Sequence, residues 1–331
     1  MKKLLSLLLG IVVLALGFRI AYPADRLEYG RAKGSDAKIE NASELSVFLS
    51  AMQNMQQTHV PTTSDQGTIA TKPDYTSVSM EYIFHYDYSV NDASSAKKES
   101  CHLTEANYVY ATREALCAHG TVLQKTSSES TRNGSTTRTS SYIDEDFSFY
   151  ADAEKELYRY DKFNVMKKYT PSQTGTSAAY VLPAEFKGTW IKLDDSDSQK
   201  FRNMFALDSV SSVLAAEIKI LNYCGNYLAS RAGYFSQDGD KYVLLPSYFN
   251  DFLQSFPYDS SELKNAEDGT FTVDLSDHAC PTFYFEVETG KNLHASWTIR
   301  FSNVNNTYVK LLPTKDEYRT TRDLFFSMGL D

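Results

Sequence analysis

Between Ser77 and Val90, "SVSMEYIFHYDYSV", the even positions Val78, Met80, Tyr82, Phe84, Tyr86, Tyr88 and Val90 are apolar or aromatic. The odd positions are small, polar or charged, with Ile83 the exception. Strict alternation over 14 residues predicts one long strand with an aromatic face and a wet face. The even face is either core, the wall of an apolar ligand cavity, or a surface awaiting a partner.

Other segments follow the same logic. In "NASELSVFLSAMQNMQQ" (41–57), Leu45, Phe48, Leu49, Met52 and Met55 recur at helical spacing. Asn41 stands as N-cap with Glu44 three residues on. A short strand is expected at 106–113. A hairpin is expected to turn at Asn133-Gly134, between Ser/Thr-rich arms. Strand, turn and strand follow over "DFSFYADAEKELYRYDKFNV", and a further strand over 186–195. From Ser198 to Ala232 the pattern turns helical, with Val213, Leu214, Ile218, Ile220, Leu221 and Leu228 covering a broad face. A second hairpin turns at Asp238-Gly239, a short helix follows at 247–256, and "TFTVDLS", "TFYFEVETG" and "HASWTIRFSNVNNTYVKLLP" close the strand set. The tail reads as a capped helix. Hairpins dominate and no βαβ alternation occurs. This predicts an α+β fold, a strongly curved antiparallel sheet, or half-open β-barrel, packed against helices over residues 41–331. A helical insert is expected at about 198–260, and 25–40 reads as a charged linker.

The first 24 residues change the compartment. Lys2 and Lys3 precede an apolar run from Leu4 to Phe18, closed by Arg19. This is a signal anchor or a cleaved signal peptide. Extension through Tyr22 reaches a marginal spanning length, and Tyr22 spoils a small-x-small cleavage site ending at Ala24. Either reading places the rest of the chain outside the cytoplasm, anchored in the cytoplasmic membrane or secreted. The four cysteines, Cys101, Cys117, Cys224 and Cys280, then suggest disulfides. Three pairings are open, and proximity in sequence favours Cys101–Cys117 with Cys224–Cys280. A zinc set of Cys101, His102, Cys117 and His119 has the right atoms but matches no standard spacing.

The net charge of −9 argues against a nucleic-acid partner. No nucleophile-elbow, zincin or phosphate-loop pattern occurs. His278 and Cys280 in "SDHACP" read first as a turn with a disulfide partner, and the acidic stretch 194–198 as the start of a helix. No catalytic residue, metal or cofactor is therefore expected.

"GTWIKL" (188–193) and "TIRFSN…YVKLLP" (298–313), with the order helix, long strands, helical insert and final hairpin, resemble the extracytoplasmic lipoprotein-carrier superfamily. The resemblance covers about residues 38–313 and implies a half-barrel holding acyl chains between sheet and helices. The chain departs from it in lacking a lipobox cysteine and in its longer helical insert. Together with the aromatic strand it points to non-catalytic binding of a lipid or acyl chain. The expected hydrophobic face is Val78, Met80, Tyr82, Phe84, Tyr86, Tyr88, Trp190, Leu214 and Ile218. The alternative is a sensor or envelope-assembly domain that binds protein.

Overall fold

The computed structural model describes residues 27–57, 75–92, 97–132, 135–152, 155–170, 178–192, 210–257, 266, 268–289, 293–311 and 318–329. These form fifteen strands and four helices. The strands are β1 (Leu27–Arg31), β2 (Ser77–Asp92), β3 (Lys97–Thr112), β4 (Ala115–Arg132), β5 (Ser135–Asp152), β6 (Glu156–Thr170), β7 (Ala178–Val181), β8 (Trp190–Lys192), β9 (Phe235–Asp238), β10 (Lys241–Leu244), β11 (Asp268–Asp274), β12 (Thr282–Thr289), β13 (Leu293–Ser302), β14 (Thr307–Leu311) and β15 (Arg319–Thr320). The helices are α1 (Ala42–Gln57), α2 (Val210–Ser230), α3 (Phe249–Gln254) and α4 (Thr321–Ser327). The fold is mostly β, a more strand-rich outcome than the α+β expectation.

Thirteen strands make one open sheet in the order β15-β8-β6-β5-β4-β3-β2-β13-β12-β11-β10-β9, with β7 beside β6. Its pairings are antiparallel apart from β15 on β8. The hairpin β9–β10 lies in the region read as a helical insert, yet it extends this same sheet through β11. Residues 27–31, read as linker, form a strand that pairs with β14 from Leu27↔Leu311 to Arg31↔Thr307. The strand expected at 106–113 is the last part of a 16-residue β3. Of the strand expected at 186–195, Trp190–Lys192 is strand among the described residues, and 193–195 lie outside them. Before it comes a short 3-10 turn, then Gly188 at φ +69°, a left-handed conformation that glycine adopts without strain.

Alternation explains the layers. The even residues of β2 pair across β13 and β3 onto odd ones, and the parity carries through β4, β5 and β6. The concave face built this way holds the main core, with Phe149, Leu45, Phe48, Leu49, Leu221, Leu228, Phe252, Ile299 and Phe301 fully buried. Helices α1 and α2 pack together there. Gly225 lets them approach: a Cβ on it would sit 2.5 Å from Leu49 Cδ1. A polar seam links the same pair, with Ser46 Oγ donating to Asn226 Oδ1 (2.6 Å) and Asn222 Nδ2 to Gln53 Oε1 (2.7 Å). At the start of α1, Asn41 Oδ1 accepts from the backbone N–H of Ser43 and Glu44. Glu44 reaches one residue past the cap, to the Glu40 N–H.

Helix α3 plugs the β9–β13 end of the trough. Phe252 stacks on Phe271 at 4.8 Å and touches Phe256 and Phe285, and Phe256 meets Trp297 edge-on at 6.0 Å. A second, smaller cluster forms on the convex face. Ala115, Cys117, Tyr150 and Leu157 are buried there beneath β1 and β14, with Tyr29 against Tyr110 at 4.7 Å.

Among the described residues no helix is long and apolar enough to cross a membrane. Residues 1–26, which carry the anchor or signal expectation, lie outside the described residues.

Candidate functional site on the concave face

The aromatic face of β2 turns inward. Tyr82, Phe84, Tyr86 and Tyr88 stack as a ladder with ring centroids 6.3, 6.2 and 6.3 Å apart. Successive same-face residues on a strand stand about 6.6 Å apart, so the ladder follows from strand geometry and side-chain type alone. Its cover fades along the strand. Val78, Met80 and Tyr82 are 1–5% exposed, whereas Phe84, Tyr86 and Tyr88 are only half-buried at the edge of the core. A cleft of about 500 Å³ near the ladder's end opens on the opposite, convex side: most of its lining, including Asp87, His102, Lys125, Glu288 and His294, belongs to the rows Glu288–His294–Asp87–His102–Lys125 and Ser89–Ser100–Ser127.

The rows beneath are not purely apolar. One runs Trp297–Phe84–Glu105–Val122–Glu145–Phe163, the next Ile299–Tyr82–Asn107–Gly120–Phe147–Tyr160. Glu145 is 6% exposed and Asn107 8%. Asn107 lies across Gly120, where a Cβ would stand 1.7 Å from its Oδ1. Its Nδ2 donates to Glu105 Oε1. Asn107 Oδ1, Glu145 Oε1 and Trp297 Nε1 are buried without a hydrogen-bond partner, an arrangement that costs about 1–3 kcal/mol for each group. Desolvation, reinforced by the nearby Glu105 charge, raises the Glu145 carboxyl to about 8. Burial also raises Glu105, against the hydrogen bond from Asn107. Beside Glu145 the β5–β6 register shifts between Asp146 and Phe147, a bulge that re-aims local side chains.

The structure brings together only part of the expected face. Val78, Met80, Tyr82, Phe84, Tyr86 and Tyr88 share it, and Ile218 of α2 is buried in the same core. Leu214 lies in α2, but its side chain is outside the described residues. Trp190 belongs elsewhere: Ile191 takes the concave side opposite Tyr158, so its neighbour Trp190 joins the convex cluster with Cys117 and Leu157. Glu105, Asn107 and Glu145 were not among the expected site residues. Their signal was parity: Glu105 alternates in step with Val109 and Ala111, and Glu145 with Ile143, Phe147 and Phe149.

The cysteines stand as thiols, not as disulfides. Cys101 pairs with Thr126, nine residues along β4 from Cys117. At about 3.3 Å per residue that is roughly 30 Å, far beyond the Cα separation of about 7 Å that a bridge tolerates. The two also face opposite sides of the sheet. Neither a Cys101–Cys117 bridge nor the zinc set including His102 and His119 can form. Cys224 is buried in α2, Cys280 lies in the turn before β12, and these two are likewise not bridged. Burial raises the Cys117 and Cys280 thiols away from the reactive thiolate. His278 faces Asp240 at 3.9 Å.

On the convex face, His294 Nε2 lies 3.0 Å from Glu286 Oε1, and Glu288 joins them with all three ligand atoms within 4.8 Å. The Tyr284 hydroxyl donates to Glu286 Oε2, which with His294 lowers the Glu286 carboxyl. In the adjoining pairs Asp87 contacts His102. These are partly exposed histidine–carboxylate contacts on a sheet surface.

No family model matches the chain, and no curated protein matches it. Among solved structures, the translocator domain of the autotransporter NalP from Neisseria meningitidis is 7% identical. It covers 80% of this chain and 98% of its own, at a TM-score of 0.20. A β-barrel-like protein of a domain of unknown function from Brucella abortus is 9% identical, covering 70% and 98%, at a TM-score of 0.14. Scores of this size show no shared fold. None of these comparisons confirms the carrier-superfamily resemblance.

Proposed function

We propose that this chain is an extracytoplasmic protein, membrane-anchored or secreted, that binds a lipid or acyl chain without catalysis along the upper part of its concave face. One observation carries the reading. The Tyr82–Tyr88 ladder passes from full burial to half burial while keeping its aromatic character. A strand that served only to fill a core would turn polar where its cover ends, because exposed aromatic area gains nothing from water. Ligand sites are concave and mostly apolar with a few placed polar groups. The segment up to Tyr82, with the α3 plug, is core. The ligand surface is Phe84, Tyr86, Tyr88 and the flanking Leu103, all of them partly exposed.

Mass spectrometry of organic extracts from the purified protein tests this directly, alongside titration with the neutral apolar dye N-phenyl-1-naphthylamine. Co-purifying lipid and saturable dye binding are expected. Phe84→Asp should reduce dye affinity at least tenfold while far-UV circular dichroism stays unchanged. A stable protein partner with neither lipid nor dye bound would establish the protein-binding alternative instead.

A further inference from the structure

We infer that the concave face selects amphiphiles by a hydrogen-bond-donating polar end, a primary amine or hydroxyl, which it receives at Glu145 and Asn107, and that it discriminates against carboxylate or phosphate ends. The inference rests on the proposed ligand surface and adds the chemistry of the ligand's polar end.

Three observations converge. First, the unsatisfied acceptors are built in. Asn107 Oδ1 and Glu145 Oε1 are each more than nine-tenths buried on the same face, one register row apart, and neither has a partner. Buried polar atoms are nearly always paired in folded proteins, so two acceptors left open together mark a place for donors. Second, Asn107 is held in position. Its amide donates to Glu105, and Gly120 beneath leaves room for it that any side chain would fill. Third, the surroundings offer no countercharge to an anion. From β13 to β6 the described side chains of the concave rows from Tyr86–Leu103–Gln124 down to Met80–Val109–Ala118 include no lysine, arginine or histidine, while Glu105 and Glu145 both point into them; Arg319, beyond Ile191 at the far edge of the last row, lies over the Phe186 ring. An anion there would be desolvated beside two acids, whereas a donor gains acceptors that nothing else uses.

The order of the rows fits a chain bound polar end first. The apolar tail lies along Tyr86, Tyr88 and Leu103, and the donor end reaches the Glu105–Glu145 row. An alcohol donates its O–H to Glu145 or Asn107. An ammonium end forms an ion pair with ionised Glu145, the carboxyl proton leaving to solvent as the complex forms.

Dodecylamine, 1-dodecanol and dodecanoate, equal in chain length, are to be compared at pH 7 by displacement of N-phenyl-1-naphthylamine from the full chain. Amine and alcohol should displace the dye at concentrations at least tenfold below dodecanoate. Glu145→Gln, which keeps shape and acceptor but cannot ionise, should weaken the amine tenfold or more and leave the alcohol within threefold. Glu145→Leu should remove the preference for both while the dye still binds, and Gly120→Ala, by displacing Asn107, should reduce it. A structural role alone would not separate amine from alcohol. Equal or stronger displacement by dodecanoate overturns the inference and leaves the lipid-binding reading standing. An unmodified protein that binds neither dye nor any of the three chains overturns both.

Discussion

At Glu145 a single side chain sets a pH dependence for the whole molecule. Its folded value of about 8 exceeds the ordinary 4.5 because burial and the neighbouring Glu105 disfavour the charge. The folded protein therefore holds a proton that the unfolded chain releases between those two values. Its contribution to stability is complete below about pH 4.5 and is lost as pH rises through about 8. Within that window this group costs up to about 1.4 kcal/mol per pH unit. Glu145→Gln should flatten the fall in the urea midpoint between pH 5 and 8 and make the variant the more stable form at pH 8. A parallel fall in both proteins would show that Glu145 ionises freely. Gly269 shows a steric effect at the same scale. A Cβ there would lie 2.1 Å from Phe249 Cζ and 2.6 Å from the Glu286 carbonyl oxygen. Backbone cannot yield as a flexible side chain can, so Gly269→Ala should cost about 2–3 kcal/mol by overpacking, read from chemical denaturation. Wild-type stability in that variant would mean that β11 and β12 separate easily at this point.

At the scale of elements, local signals were legible and partner choice was not. The alternation of 77–90, the Asp238-Gly239 turn and the Thr320 cap of α4, whose hydroxyl accepts from Asp323 N–H, all depend on neighbours in sequence. The strand nature of 27–31 depends on β14, some 280 residues away, and its charged sequence carries no periodicity that reveals it. Likewise a short strand was expected at 106–113 and none over Lys97–Glu105, yet β2 and β4 hold the whole length of β3 by backbone pairing. The Cys101–Cys117 expectation failed for the same reason: proximity in sequence is not proximity across a hairpin whose arms run apart. Trp190 was placed with the ligand face because its side was decided by a β8–β6 register that no local pattern announces. This makes a clean test. Trp190→Ala should lower stability by about 3 kcal/mol or somewhat less, since the ring is only partly buried in the convex cluster. Affinity for N-phenyl-1-naphthylamine should remain within twofold. A large loss of dye binding in a folded variant would put Trp190 back beside the ligand.

Across the whole molecule, apolar burial and strand length part company. Strands β2–β6 run 15–18 residues, but the core occupies only their halves nearest the helices. In β5 every second residue from Ile143 to Ala151 is buried, or nearly every one at the end, whereas Ser135–Tyr142 has no buried residue. The outer halves of β4 and β5 present serine and threonine to both sides, with Ser100 against Ser127 at 2.7 Å and Thr131 against Thr136 at 2.9 Å. Such pairs contribute about 0.2–1 kcal/mol each, while ordering each residue's backbone costs about 1–2 kcal/mol. The projecting part of the hairpin is thus held by the sheet it extends and adds little to the stability of the core. Replacing residues 128–139 by a two-residue Asn-Gly turn removes this projection and keeps Lys125, Thr126 and Ser127 at the cleft. The shortened protein should unfold in one cooperative transition, with Tm lowered by only a few degrees and dye affinity within threefold of the parent. Loss of cooperative unfolding would mean that the long strands, rather than the concave core, organise the fold. Loss of dye binding with the melting transition intact would instead make the projecting hairpin part of the ligand surface.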